Sequence, residues 1–212
     1  MTKDVSQDQS TVLIVDDDDV LRSSLGSLLR SVGMQVRLFG SASELLEKPL
    51  PDTPCCLVLD VRLPGTSGLD FQAELDKAGI RIPIIFMTGY GDIPMTVKAM
   101  KAGAVEFLAK PFRDQDFLDA VRAALQKDSM ERAANKRVEK IKKDFLALTP
   151  REKEVIVLVA SGLMNKQIAA KLGVTEITVK VHRGNVMRKM GARSLAELVR
   201  ISDTLELKRE NP

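Results

Sequence analysis

The sequence predicts an α/β domain in which five β–α units form a (βα)5 doubly wound parallel sheet, followed by a helical linker and a small all-α domain. Three observations carry this reading. Short apolar runs alternate with amphipathic stretches five times between Thr11 and about Gln126, the pattern of a parallel sheet with helices on both faces. Each of four runs is closed by polar residues. Asp16 and Asp17 follow Val12-Leu13-Ile14-Val15, Asp60 follows Leu57-Val58-Leu59, Thr88 follows Ile84-Ile85-Phe86-Met87, and Lys110 follows Phe107-Leu108-Ala109. Such runs read as strands buried on both faces. Beyond about Leu148 every periodicity is helical.

Taken in order, strands are predicted at 11–15, 35–39, 55–60, 83–88 and 106–109, and helices near 19–31, 42–48, 68–78, 94–102 and 114–126. Ser41-Ala42-Ser43-Glu44 has capping-box spacing at the start of the second helix, and Pro64-Gly65 and Gly89-Tyr90-Gly91 mark loops after the third and fourth strands. Between 127 and 146 charge is dense. Ala134, Val138, Ile141, Phe145 and Leu148 recur at spacings of four and three, a stripe on a helix running on from the fifth. That stripe either packs on the following domain or meets a second copy. Thr149-Pro150-Arg151-Glu152 then combines a capping box with proline at the first helical position, a cap worth about 1 kcal/mol. Helices follow at roughly 150–160, 165–172 and from Thr175 to about Met190, with a last one opening at Ser194-Leu195-Ala196-Glu197. Two of these joined through a short turn at Gly173 have helix-turn-helix spacing.

Composition narrows the chemistry. The 212 residues are 44% apolar and 29% charged, which suits globular domains rather than disorder. No apolar stretch approaches the ~18 residues of a membrane span. The polar N-terminus, MTKDVSQDQS, lacks a signal core, so a soluble cytoplasmic protein is expected. Cys55 and Cys56 are adjacent on a predicted strand and point to opposite faces, as packed thiols rather than a disulfide. With one histidine, His182, a zinc centre is not expected. The net charge of +3 hides a division. Residues 1–127 carry 14 Lys/Arg against 18 Asp/Glu, and residues 128–212 carry 18 against 11. An acidic half with its own chemistry therefore precedes a basic half that faces a polyanion.

In an open parallel sheet, function gathers outside the carboxyl ends of the strands. Here those ends hold three carboxylates, a hydroxyl and an ammonium. Magnesium prefers oxygen ligands, and Asp16, Asp17 and Asp60 can supply them. A divalent ion also makes neighbouring carboxylates tolerable. A carboxylate can accept a phosphoryl group, whose charge Lys110 could neutralise while Thr88 donates a hydrogen bond.

The motifs VLIVDDDD, CLVLDVRLPGTSG, PIIFMTGYGD and AVEFLAKPF span nearly all of residues 11–126 and resemble the receiver domains of bacterial two-component response regulators. The resemblance implies that Asp60 is the phospho-acceptor and that Asp16, Asp17, Asp60 and the backbone carbonyl of Arg62 hold Mg2+ or Mn2+. It further implies phosphate contacts from Thr88 and Lys110, a cis peptide to Pro111, an aromatic switch at Phe107, and tuning of dephosphorylation by Arg62 and Tyr90. The string VLIVDDDDV also fits the signature of haloacid-dehalogenase-type phosphatases, with Asp16 as nucleophile, Asp18 as acid/base, and Thr88 and Lys110 as the later motifs. That fold needs another acidic pair after a strand beyond the lysine, which this chain lacks, and it leaves Asp60 without a role.

The string SGLMNKQIAAKLGVTEITVKVHRGNVMRKMGARSLAELV resembles the LuxR/NarL-type helix-turn-helix, and its combination with GDIPMTVKAMKAGAVEFL looks most like the FixJ subfamily, including its StyR/TodT-type members. In the helix from Thr175, Ile177, Val179, Val186 and Met190 are expected to face inward. Lys180, Val181, Arg183, Gly184 and Arg188 are expected outside, in the major groove of double-stranded DNA. Lys180 is expected at base edges and Val181 at an apolar contact such as a thymine methyl. Lys166, Arg183, Arg188 and Lys189 are expected at phosphates, with Thr178 and His182 also at the DNA. Gly184 stands where the family usually has a basic residue.

The resemblance thus implies a receiver over 9–127, a helical linker over 128–147 and a DNA-binding domain over 148–208. A partner histidine kinase would phosphorylate Asp60, and the receiver would form a homodimer through the face of the fourth helix, fifth strand and fifth helix. The pair would then bind half-sites and act with RNA polymerase, without enzymatic turnover of its own. The intact acidic constellation argues against a receiver that dimerises constitutively and ignores phosphate.

Overall fold

The structure, a computed structural model, describes residues 10–89 and 93–207. Five strands form one sheet: β1 (Thr11–Val15), β2 (Gln35–Phe39), β3 (Cys55–Asp60), β6 (Ile84–Thr88) and β7 (Glu106–Ala109), in the order β2-β1-β3-β6-β7 with every pairing parallel. The pleat sorts the side chains. Val12, Ile14, Cys56, Val58, Ile85 and Met87 pack on one face against Leu25, Leu29, Phe117 and Val121. Leu13, Val15, Leu57, Leu59, Ile84 and Phe86 pack on the other against Leu45, Phe71, Leu75 and Ala99. Both faces are covered, which is why these strands read as unbroken apolar runs. Cys55 and Cys56 are free and buried, as packed thiols.

Five helices cover the sheet: α1 (Asp19–Ser31), α2 (Ala42–Leu46), α3 (Gly68–Lys77), α4 (Ile93–Lys101) and the first half of α5 (Asp114–Leu146). Their starts follow cap chemistry. Asp18 accepts from the amides of Val20 and Leu21, Ser41 from Glu44, and Ser67 from Leu69. Glu44 reaches back to the Gly40 amide, one residue before the expected position. The loop expected at Pro64-Gly65 is a small antiparallel hairpin, β4 (Arg62–Leu63) with β5 (Thr66–Ser67). Two-residue strands carry no periodicity that a sequence could reveal.

Helix α5 is one continuous helix to Leu146. The chain divides between Arg132 and Ala133 into two units, each with its own core. In the first unit, Asp128 is buried and accepts from the Cys55 amide at 2.8 Å and from Arg132 Nε at 2.6 Å. Arg132 also donates to the carbonyls of Pro51 and Asp52. In the second unit, Ile141, Phe145 and Leu148 join the core of the helices that follow, so this part of the stripe packs within its own domain.

Those helices are α6 (Pro150–Ala160), α7 (Asn165–Leu172), α8 (Glu176–Lys189) and α9 (Leu195–Thr204), around Val155, Ile156, Val159, Ile168, Val179, Val186, Leu198 and Ile201. Gly173, at φ +65°, closes α7 in the left-handed conformation and turns the chain into α8. Thr149 and Glu152 form the expected capping box. Among the described residues no helix is long and apolar enough to cross a membrane.

Candidate functional site

The register of the sheet assembles the acidic site. Val15 pairs with Leu59, Asp60 with Met87 and Thr88 with Ala109, so Asp16, Asp60, Thr88 and Lys110 stand side by side at one edge. That edge is the carboxyl end of the parallel strands, as expected for an open sheet. Asp16 and Thr88 are fully buried and Asp60 nearly so, whereas Asp17 is exposed. Lys110 Nζ donates to Asp16 Oδ2 at 2.7 Å and to Asp60 Oδ2 at 3.1 Å. The free oxygens are held too: Asp16 Oδ1 accepts from the Asp18 amide at 2.9 Å and Asp60 Oδ1 from the Arg62 amide at 3.3 Å. Arg22 donates to the Asp16 carbonyl and to Asp19.

Burial pushes the Asp60 carboxyl above the ordinary carboxylate range, against the hydrogen bond and charge of Lys110. Burial would lower the Lys110 ammonium, but its hydrogen bonds to Asp16 and Asp60 outweigh that and hold it above its usual value. Perturbed carboxylates and ammoniums cluster at functional sites, and this pair stands at the carboxyl edge of the sheet where such sites form. One oxygen each from Asp16, Asp17 and Asp60 lie within 4.8 Å of one another, close enough to share a cation. An all-carboxylate donor set fits a hard divalent ion such as Mg2+.

Two features of this edge were not legible in the sequence. The Gly68 amide donates to the Val61 carbonyl at 2.8 Å, and a Cβ at Gly68 would lie 2.5 Å from the Asp60 carbonyl oxygen. Gly68 therefore fixes the backbone next to Asp60 through a close approach that only glycine permits. Asp18 is the N-cap of α1, both of its first-turn bonds made by one carboxylate oxygen. A phosphatase acid/base at Asp18 would be tied down in that role. Phe107 is half-buried, its ring 6.3 Å from that of Phe86 and tilted by 45°. The Lys110–Pro111 peptide is cis. Arg62 is exposed on β4, and Tyr90 lies outside the described residues.

The second unit presents a basic helix. On α8, Ile177, Lys180, Val181, Gly184 and Arg188 are exposed, and Val179, Val186 and the C-cap Met190 are buried. The inward expectation for Ile177 is corrected: it is 78% exposed, because its position lies one turn before Val181 on the outer face. Thr178 Oγ1 lies 2.9 Å from the N-cap hydroxyl of Thr175, and Arg183 donates to Asn165 Oδ1 at 3.0 Å. Arg188 donates to Asn185, His182 is half-buried and Lys166 is exposed. Lys189 Nζ donates to buried Glu152 Oε2 at 2.7 Å, so any phosphate contact by Lys189 competes with that carboxylate.

Known proteins agree with both units. Residues 12–122 match the response regulator receiver domain, and residues 146–202 match the luxR family of bacterial regulatory proteins. Nodulation protein W of Bradyrhizobium diazoefficiens is 60% identical over 93% of this chain and 87% of its own length. The response regulator protein TodT of Pseudomonas putida is 46% identical over 95% of this chain and 89% of its own. The solved structure of response regulator StyR is 50% identical, covers 92% of this chain and 98% of its own, and superposes with a TM-score of 0.82. An acidic sheet edge in one unit and an exposed basic helix of a helix-turn-helix in the other are thus the two halves of a regulator rather than of a conventional enzyme. The chain belongs to the two-component response regulators of the FixJ/NarL type, transcriptional regulators that join a receiver to a LuxR-type DNA-binding domain, in the group that holds FixJ, StyR and TodT.

Proposed function

We propose that Asp60 accepts a phosphoryl group from a partner histidine kinase and that the modified receiver dimerises, bringing two helix-turn-helix units to DNA. The observation that carries this reading is the Lys110 ammonium bonded to both Asp16 and Asp60 at the carboxyl edge of the sheet. In the transfer, a carboxylate oxygen of Asp60 attacks phosphorus. The new P–O bond forms as the P–N bond of the donor imidazole breaks, and the imidazole leaves with that electron pair and takes a proton from water. Lys110 follows the charge onto a phosphoryl oxygen, and the Thr88 hydroxyl donates to another. A divalent cation (Mg2+ or Mn2+) held by Asp16, Asp17, Asp60 and the Arg62 carbonyl would supply further positive charge against those oxygens. Arg62 and Tyr90 set how water reaches the aspartyl phosphate.

Phosphorylation adds a charge of about −1.5 to −2 at Asp60. Thr88 moves toward it, and Phe107, half-buried beside Phe86, turns inward. The adjoining face is suited to pairing, since Ile93, Val97 and Met100 form an exposed apolar stripe along α4. The dimer presents two α8 helices to half-sites about one DNA turn apart. Lys180 and Val181 meet base edges, and Lys166, Thr178, His182, Arg183 and Arg188 meet the backbone. RNA polymerase is then recruited or excluded. In this reading the receiver spans 9–127, the linker 128–147 and the DNA-binding domain 148–208. For a near-complete switch, phosphate must favour the binding-competent state by about 5 kcal/mol.

The test combines mass and size. The full chain with magnesium and acetyl phosphate should gain the mass of one phosphoryl group, and Asp60→Asn should not. Light scattering with beryllofluoride should show monomer becoming dimer, with tighter retention of DNA at matched salt. A phosphoryl group on the Asp60→Asn chain, or no change in mass and DNA affinity with beryllofluoride, would refute the reading.

A further inference from the structure

The outer face of α8 is more apolar than a surface that only meets phosphate requires. At 3.6 residues per turn, Ile177, Lys180, Val181, Gly184 and Arg188 fall within an arc of about 100°, opposite buried Val179, Val186 and Met190. Ile177 is 78% exposed and Val181 is 58% exposed. A β-branched side chain left this open in the first turn of a helix contributes nothing to the core of its own domain. Its neighbours on the arc decide the occupant. Lys180 and Arg188 give that face a positive charge, and a Cβ at Gly184 would meet nothing within 4 Å, so there is no side chain to hold a partner away. A partner that offers phosphates on its rim and small apolar groups at its centre is double-stranded DNA seen from the major groove, where the thymine C5-methyl is the apolar feature.

We propose that Ile177 is a specificity-determining residue that packs against a thymine methyl in each half-site, beside the contact of Val181. This inference rests on the placement of α8 in the major groove. Ile177 and Val181 lie one turn apart on the same line of the helix, so they meet different base steps. The direction of preference follows from chemistry: thymine is favoured over uracil and over unmethylated cytosine at the Ile177 position. Each methyl contact is worth about fourfold in affinity, the equivalent of one buried methyl group.

The test uses duplexes selected from a random-sequence pool by the full-length wild-type chain, in which each thymine is replaced in turn by deoxyuridine. At one position per half-site, loss of the methyl should weaken wild-type binding about fourfold and leave Ile177→Ala unaffected. Ile177→Ser, which leaves no methyl to meet thymine at a position 78% exposed, should also lose the discrimination while folding as wild type. Equal sensitivity of wild type and Ile177→Ala to methyl loss at every position would overturn the inference. If Lys180→Ala weakens binding and Ile177→Ala does not, the inference fails and the groove placement stands. If neither variant weakens binding, the groove placement itself fails and takes the inference with it.

Discussion

Lys189→Met separates two roles for a cation at the end of α8. Methionine keeps the aliphatic stem and removes the charge. Glu152 is 3% exposed, and Oε2 of its carboxylate accepts from the Thr149 amide at 2.8 Å and from Lys189 Nζ at 2.7 Å. In the variant the buried carboxylate keeps the amide and loses its counter-charge. Breaking a fully buried pair from one side costs about 3–5 kcal/mol. The Lys189 side chain is 35% exposed, so water reaches the vacated end and about 2 kcal/mol remains. That is about thirtyfold in an equilibrium constant. Amide exchange followed by mass spectrometry on the full chain should report it as a loss of protection of that size in α6 and α8, the helices the pair joins. The domain remains folded, so DNA affinity and the slope of log K against log salt should both stay near wild type. Unaltered exchange with a slope reduced by about one per subunit would refute the argument, since that is the signature of a lost phosphate contact.

The same pair sets a pH dependence. The Lys189 hydrogen bond, then the Thr149 amide, hold Glu152 below its ordinary value of 4.5. Its contribution is present above about 4.5 and is lost as the pH falls through the lower folded value. Exchange protection of α6 should therefore decline with acid in that window, and Glu152→Gln should abolish that component. Lys110→Met, which removes the ammonium that bonds both Asp16 and Asp60, should slow uptake of phosphate from acetyl phosphate by about 10²-fold, measured by intact mass, whereas an unchanged rate would remove Lys110 from the transfer. Gly68→Ala forces a Cβ to 2.5 Å from the Asp60 carbonyl oxygen and should cost about 1–3 kcal/mol in a melting experiment, with slower phosphorylation. A variant as stable and as readily phosphorylated as wild type would show that the approach is not demanding. Arg132→Met leaves buried Asp128 with the Cys55 amide as its remaining bond, and protection of that amide should fall by about 2 kcal/mol.

The five sheet strands, the caps at Ser41, Thr149 and Ser194, and the four polar closures of the sheet edge were all readable along the chain. Each rests on a local rule. Alternation and apolar runs report burial on a pleat, and a cap is a contact across three residues. The rest depends on what residues far apart in sequence meet. Lys110 and Asp16 are 94 positions apart, and Lys189 and Glu152 are 37 apart. Nothing in the sequence near Lys189 distinguishes a phosphate-binding lysine from one paired with a buried glutamate on another helix. The demand at Gly68 comes from the Asp60 carbonyl folded against it, and the exposure of Ile177 comes from which side of α8 the other helices cover. Sequence alone thus determined which residues line the acidic edge and which helix is basic, because periodicity and spacing carry that information. Only the tertiary structure decided which charges neutralise one another inside the protein and which side chains remain for a partner, because both depend on packing between elements that no local pattern encodes.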